Sequence, residues 1–254
     1  MQVDPLFGLE DRVAIVTGAT SGLGERFARV LHERGVRVVV AVRREERLAS
    51  LVRELGTRSL AVPTDVTSEA AVAGMVRTAV DHFGRLDIMV NNAGASDGGP
   101  AETQDLRSFE DLLRVNLGAV FVGCREAAHV MLQQQSGSII NIASVAGVVS
   151  LSERHRMAGY TTSKTGVVGL TRELGTQWAA RGVRVNAIAP GWFPSEMTGG
   201  LRNPDHVQWI EERTPMHRPA RVHELDGALL FLASDASSYM VGQVIVVDGG
   251  WTAW

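Results

Sequence analysis

A chain of 254 residues is long enough to bury the core of one α/β domain. It has 25 Lys and Arg against 28 Asp and Glu, a net charge of −3, which leaves no basic field for nucleic acid. Cys124 is the only cysteine, so an internal disulfide is excluded and a reducing cytosol suits the chain. No apolar run approaches the ~18 residues of a membrane span. Residues 1–11 carry Asp4 and Glu10 and lack a signal pattern. A cytoplasmic protein is expected, with no nucleic-acid or membrane partner and no metal.

The first strand is expected at 13–16 and the first helix at 22–34, stopped by Gly35. A nearly all β-branched second strand covers 36–42, and a helix over 44–55 ends at Gly56. A short third strand at 59–62 is followed by a helix at 69–83, capped by Thr67 or Ser68. The fourth strand is 86–90, then come a polar loop at 94–105 and one long helix at 106–134. A fifth strand (138–142), a loop (144–157), a helix from 158 to about 179 and a sixth strand (183–188) follow. Residues 190–219 read as irregular with one or two short helices, 222–232 as a helix, and 244–247 as the last strand.

This alternation predicts a single-domain, Rossmann-type, doubly wound parallel β-sheet of about seven strands with helices on both faces. Runs such as Val38-Val39-Val40 do not alternate, as expected of strands buried on both sides. Ligands of such sheets bind beyond the carboxyl ends of the strands. The segment at about 192–216 is long and Gly-containing, with bulky Trp192, Met197, Leu201 and Trp209, and is expected to be a lid over the substrate.

Candidate chemistry centres on Ala158-Gly159-Tyr160-Thr161-Thr162-Ser163-Lys164. On a helix, Tyr160 and Lys164 share a face. A neighbouring ammonium favours the phenolate and is expected to lower the tyrosine pKa towards the working range. Lys164 is the only lysine of the chain, which suggests a need for a compact, tunable cation rather than a guanidinium. The alternative is a solvated i, i+4 pair with no chemistry.

After the first strand comes Thr17-Gly18-Ala19-Thr20-Ser21-Gly22-Leu23-Gly24, whose glycines allow a tight turn and close approach of backbone to a pyrophosphate. The second strand ends in Val42-Arg43-Arg44, without the carboxylate that would bind a free ribose 2′-hydroxyl. Two arginines there suit a 2′-phosphate, so NADP(H) is the expected cofactor, with NAD(H) use also allowed. The alternative is that both arginines open the next helix in solvent. Asp65 could meet an adenine amino group or cap the following helix.

On these residues the sequence resembles the short-chain dehydrogenase/reductase superfamily, in its classical branch, over residues 9–252. The Gly18, Gly22, Gly24 turn is similar to that family's cofactor loop, Asn91-Asn92-Ala93-Gly94 to its motif after the fourth strand, and Asn116 to its helix asparagine. Ser144, Tyr160 and Lys164 match its catalytic serine and Tyr-x-x-x-Lys, Pro190-Gly191 its nicotinamide turn, and Asp248-Gly249-Gly250 its C-terminal signature. Two departures stand out. Glu153-Arg154-His155-Arg156 lengthens the stretch between Ser144 and Tyr160, and Ser195 stands where the family usually has Thr.

The resemblance implies hydride transfer between a nicotinamide and a carbonyl or alcohol carbon. Ser144 would donate to the carbonyl oxygen, Tyr160 would supply the proton, and Lys164 would tune Tyr160 and hold the ribose. Asn116 would order a water linking Lys164 to solvent, or bond to helix backbone at a kink. The implied cofactor set is Gly18, Thr20, Ser21, Gly22, Leu23, Gly24, Arg43, Arg44, Asp65, Val66, Asn92, Ala93, Gly94, Tyr160, Lys164, Pro190, Gly191, Phe193 and Ser195. Candidate pocket residues are Ser96, Val145, Met157, Trp192, Met197 and Trp209, mostly apolar, which favours a ketone, a 3-oxoacyl thioester or a cyclic substrate. For Met197 and Trp209 the alternative is packing of the lid onto the core. The ending Gly250-Trp251-Thr252-Ala253-Trp254 is similar to that of some gluconate- and polyol-type members, so a sugar or polyol dehydrogenase is the alternative. A non-catalytic dinucleotide-binding sensor or scaffold is a third reading, opposed by the intact Ser144, Tyr160 and Lys164. Two long helices and an apolar last strand predict a homo-oligomer, a tetramer by the resemblance.

Overall fold

The computed structural model describes residues 5–43, 45–151 and 154–253. Seven strands form one parallel sheet: β1 (Val13–Thr17), β2 (Arg37–Val42), β3 (Ser59–Pro63), β4 (Ile88–Asn91), β5 (Gly137–Ile142), β6 (Val183–Pro190) and β7 (Val244–Val247). Their order is β3-β2-β1-β4-β5-β6-β7, every pair parallel. The chain winds outward from β1 in one direction and then from β4 in the other. The crevice between the carboxyl ends of β1 and β4 is therefore the switch point where such a fold takes ligands.

Strand side chains alternate between faces, and here both faces are dry. Ala14, Val16, Val38, Val40, Ile88 and Val90 pack under α1 (Gly22–Glu33), α2 (Glu45–Leu55) and, later in the chain, α8 (Asp226–Ala233). Val13, Ile15, Val39, Met89 and Ile139 point the other way, onto α3 (Glu69–Phe83), α5 (Ala119–Gln134) and α6 (Ala158–Trp178). This is why the strand segments read as unbroken apolar runs. Helix starts are set locally. Ser68 accepts from the amide of Ala71, Asp105 caps α4 (Leu106–Leu113) by accepting from Ser108, and Asn203 caps α7 (Pro204–Arg213). Gly84, at φ +82°, stops α3.

The single helix expected over 106–134 is present, but it is not α-helical throughout. Residues 114–118 open into a π-turn between α4 and α5. Asn116 lies in that turn, and its side chain is fully enclosed and bonded to other segments, which is the kind of site where such widening occurs. The expected helix at 222–232 divides into a 3₁₀ turn, Val222–Leu225, and α8. The irregular stretch at 190–219 contains one α-helix, α7.

A polar stitch runs through the core beneath the active end. Asn91 Nδ2 donates to Asn141 Oδ1 at 2.9 Å, and Asn141 Nδ2 donates to Thr171 Oγ1 at 3.0 Å. Thr171 donates in turn to the carbonyl of Val167 at 2.7 Å. The chain ties β4 and β5 to α6 with its polar groups satisfied, which fixes the register of the catalytic helix on the sheet.

Candidate active site

The phosphate end is built from backbone. Gly18 (φ +66°) and Gly22 (φ +53°) turn the chain from β1 into α1. A Cβ on Gly24 would stand 2.2 Å from the Gly18 carbonyl oxygen and 2.4 Å from Asn92 Nδ2, so only glycine fits. Asn92 Nδ2 donates to the carbonyls of Thr17 and Gly18, at 2.9 and 3.2 Å. The hydroxyl of Thr17 accepts from the amides of Asn92 and Ala93, at 3.0 and 3.1 Å, and donates to the carbonyl of Val90. Thr17 was not among the expected site residues. A hydroxyl residue between a strand and its glycine turn is the signal that points to it. Ser21 starts α1 without a side-chain cap, so the first-turn amides face the crevice as donors for a phosphate. The glycine cradle and the open helix start together fit a dinucleotide.

A cleft of about 660 Å³ runs from this turn to the catalytic side chains. Thr20, Ser21, Leu23, Val66, Ala93 and Gly94 line it with the glycines. So do Pro190, Gly191, Phe193 and Ser195. Arg43 is exposed on its rim, and Arg44 lies outside the described residues. Asp65 also lines the cleft, but one of its oxygens accepts from the amide and hydroxyl of Thr67, at 2.9 and 2.7 Å. Those bonds hold its carboxyl below the usual range and shape the turn before α3, whose cap is Ser68 and not Asp65. Ser195 sits over the turn: a Cβ on Gly22 would come within 3.1 Å of its own.

Ser144, Tyr160 and Lys164 meet at the other end of the same cleft. The Ser144 hydroxyl is near enough to the Tyr160 phenol to act on its titration, and it accepts from the amide of Ala146 at 3.1 Å. Lys164 donates to the carbonyl of Ile142 at 2.7 Å, and its Nζ lies 5.7 Å from the Tyr160 ring centroid. The expected lowering of the phenol by Lys164 is not what this geometry produces. Burial pushes the Tyr160 pKa up, and the Ser144 hydroxyl opposes this only in part. The tyrosine is therefore held as a protonated donor. Burial instead acts on Lys164, whose pKa falls to about 8. Asn116 stands behind the cleft wall. Its amide accepts from the nitrogen of Ala95 and donates to the carbonyl of Ala95, both at 2.8 Å, and donates to Ser163 Oγ at 3.0 Å. Ser163, a second residue that sequence reasoning missed, donates to the Tyr160 carbonyl at 2.6 Å.

Of the six expected pocket residues, Ser96 and Met197 line the cleft. Val145, Met157 and Trp192 pack around Tyr160. Trp209 is buried in an aromatic group with Trp192, Trp251, His155 and His206, which is the packing alternative for that residue. His155, His206 and Trp251 carried no sequence signal for this meeting.

The fold and this cleft define a nicotinamide-dependent oxidoreductase. A family model described as enoyl-(acyl carrier protein) reductase matches residues 18–252. The cis-4-hydroxycyclohexanecarboxylate dehydrogenase of Sinomonas cyclohexanicum is 40% identical over 247 residues, covering 96% of this chain and 97% of the relative. The gluconate 5-dehydrogenase of Gluconobacter oxydans is 38% identical over 251 residues, covering 97% of each. A crystal structure of a gluconate 5-dehydrogenase from Burkholderia cenocepacia, in complex with NADP and tartrate, superposes with a TM-score of 0.93 at 35% identity over 98% of each chain. The chain belongs to the short-chain dehydrogenase/reductase superfamily, and its reaction is hydride transfer between a nicotinamide dinucleotide and a carbonyl or secondary alcohol carbon.

Gly24 gives a sharp test of the cradle. Gly24→Ala is expected to weaken dinucleotide binding by more than about tenfold, measured by fluorescence titration, because the methyl must displace either the Gly18 carbonyl or Asn92.

Proposed function

We propose that the protein is an NADP(H)-preferring reductase of ketone, 3-oxoacyl or cyclic carbonyl compounds, working also as the corresponding alcohol dehydrogenase. The observation that carries this is one cleft holding the glycine turn and Arg43 at one end and Ser144, Tyr160 and Lys164 at the other. The dinucleotide would supply or accept the hydride. Ser144 would donate to the substrate oxygen as charge grows there, and Tyr160 would deliver the proton. Lys164 would hold the ribose beside them. Asn116 acts as a positioning residue by tying Ala95 to Ser163, and Ser163 to the carbonyl of Tyr160. The relative acting on a substituted cyclohexane and the apolar Val145, Met157 and Met197 support the cyclic or ketone reading. A sugar or polyol acid is the second reading, supported by the gluconate dehydrogenases. A scaffold without catalysis would not need a buried lysine beside a buried tyrosine.

Turnover with a panel of ketones, acyl thioesters and sugar acids separates the substrate readings. Tyr160→Phe should retain less than about a tenth of the activity, a loss of at least roughly 1.4 kcal/mol of barrier stabilisation, while cofactor still binds. Lys164→Arg should fail as well, because a guanidinium cannot take the ammonium's place. In the wild type, kcat/KM for reduction should decline above about pH 8 as Lys164 loses its charge, with Tyr160 still protonated. Stability runs the opposite way. Between about 8 and the ordinary 10.5 only the unfolded chain holds the lysine proton, so this group makes folding more favourable as pH rises through that window. A flat rate profile across pH 8 would remove Lys164 from this role.

Support for NADP(H) comes from Val42 and Arg43. Val42 presents no carboxylate to repel a 2′-phosphate, and Arg43 is exposed beside it on the cleft. An Arg–phosphate contact of this kind contributes on the order of 1.5 kcal/mol. Arg43→Ala should cut the kcat/KM ratio of NADPH over NADH by about tenfold, and Val42→Asp should reverse it. An unchanged ratio in Arg43→Ala would show that another group reads the phosphate.

The proposed assembly is a homotetramer in the cytoplasm. Leu106 and Phe121, on α4 and α5, are 67% and 43% exposed, and the edge strand β7 exposes Val246. These apolar surfaces suit pairing across two-fold axes. Light scattering at micromolar concentration should give about four times the mass of the chain.

A further inference from the structure

Five rings from four parts of the chain meet beside Tyr160. His155 comes from the lengthened stretch before α6, Trp192 from the end of β6, His206 and Trp209 from α7, and Trp251 from the C-terminal turn. The His155 ring centroid lies 4.6 Å from that of Trp209 and 4.8 Å from that of Trp192, and Trp251 lies 5.0 Å from Trp209. Trp192 in turn packs on the cluster that contains Tyr160 and Val145. One polar contact joins the lengthened stretch to α7 inside this box: His155 Nε2 and His206 Nε2 are 3.1 Å apart. Such a contact needs one ring to donate and the other to accept, so two imidazolium rings cannot make it.

Among the described residues, no carboxylate pairs with either ring. Arg154 stands on the same stretch, its guanidinium 5.7 Å from the Trp209 ring, and donates to the backbone oxygen of Asp205. From α7, Arg213 covers Trp209 at 5.2 Å. The C-terminal turn brings Asp248, but its carboxylate accepts from the amides of Gly250 and Thr252 and from the Thr252 hydroxyl. The β6 end brings Trp192, which does not titrate. Burial is the main cause that holds His155 near 4 and His206 below its ordinary value; the cationic Arg154 adds to it at both rings, and His206 adds to it at His155.

We propose that His155 and His206 are positioning residues whose ring-to-ring hydrogen bond clasps α7 over the substrate end of the cleft, making substrate affinity depend on at least one of the two rings staying neutral. The hydride-transfer reading enters only in naming that end of the cleft as the substrate's. Segment 192–216 carries both cleft-lining residues, such as Met197 and Ser195, and the clasped α7. Opening the clasp therefore loosens the wall that faces the substrate. The sign follows from the two states. Opened to water, a histidine titrates near ~6.5, while in the closed box it resists protonation. Closure is complete above that value and is lost as pH falls from about 6.5 towards about 4.

The test is hydrogen exchange over 204–213 in the intact protein at about pH 7.5 and about pH 5, corrected for intrinsic rates. Wild type should lose protection there at the lower pH, by up to about tenfold per pH unit for each proton taken up on opening. His155→Phe keeps a ring in the box but removes one of the two titrating groups and the ring-to-ring bond, so its protection should depend on pH less steeply than that of the wild type. In steady-state assays the substrate KM of the wild type should rise over the same pH range, and His155→Phe should show a smaller rise. Equal pH dependence of exchange in wild type and His155→Phe would overturn the clasp, whatever the substrate proves to be. The 3.1 Å separation would also suit two ligands of one metal ion, although no third His, Cys, Asp or Glu joins them among the described residues. Loss of protection on adding a chelator at about pH 7.5 would therefore overturn the hydrogen-bonded clasp in favour of a metal.

Discussion

The ammonium of Lys164 is only 4% exposed, and burial alone brings its pKa to about 8. Holding a cation in such a place is unfavourable unless backbone dipoles are aimed at it. The Ile142 carbonyl at the end of β5 does this at 2.7 Å. That contact requires α6 to lie close against the sheet end, and the loop after Ser144 must pass between neighbours with no room for a side chain. Gly147 shows how tight the passage is: a Cβ there would lie 2.7 Å from the backbone of Lys164. The same passage sets the Ser144 hydroxyl near enough to the Tyr160 phenol to act on its titration. Placement of the Ser144 and Tyr160 hydroxyls is thus tied to where the lysine is buried. A guanidinium, larger and not tunable, could not serve in this position.

A second layer of polar contacts holds this arrangement from behind. Asn116 bonds to both backbone groups of Ala95 and to Ser163, and Ser163 to the Tyr160 carbonyl. The π-turn at 114–118 is what lets an asparagine in a helix reach three partners on two other segments. Deeper still, Asn91, Asn141 and Thr171 bind β4, β5 and α6 into one unit. The catalytic helix is therefore fixed at its start by Ser163 and further along by Thr171. Neither contact involves the substrate, and both serve to keep reacting groups from drifting by the fraction of an ångström that matters for proton transfer.

What the sequence made legible follows from how local each constraint is. The strands could be read because burial on both faces forces unbroken apolar runs such as Val13–Thr17. The phosphate end could be read because it is built from backbone: Gly24 has to be glycine wherever its neighbours come from. The π-turn at 114–118 was hidden because the partners of Asn116 there, Ala95 and Ser163, lie far away in sequence. The tyrosine pKa was misjudged for a related reason. Spacing places Lys164 on the same helix face, but only the fold shows that its Nζ turns to Ile142 while the phenol is desolvated. The meeting of His155 with His206 spans 51 positions and depends on packing alone, so no periodicity or motif announces it.

Asp248 joins the two ends of the cleft that these constraints shape separately. A Cβ on Gly191 would lie 2.8 Å from the Asp248 backbone, and the Gly191 amide donates to the Val247 carbonyl at 2.9 Å. Gly191 thus lines the cleft pressed against the start of the C-terminal turn. The Asp248 carboxylate closes that turn by accepting from Gly250 and Thr252. Trp251 lies inside the closed turn and reaches the aromatic box at Trp192 and Trp209. A shift of the turn at Gly191 would therefore move Trp251, and with it the surface on which α7 rests. The C-terminal turn thus links the Gly191 side of the cleft to the aromatic box, and its shape rests on the Asp248 carboxylate and on two glycines with positive φ, Gly249 and Gly250.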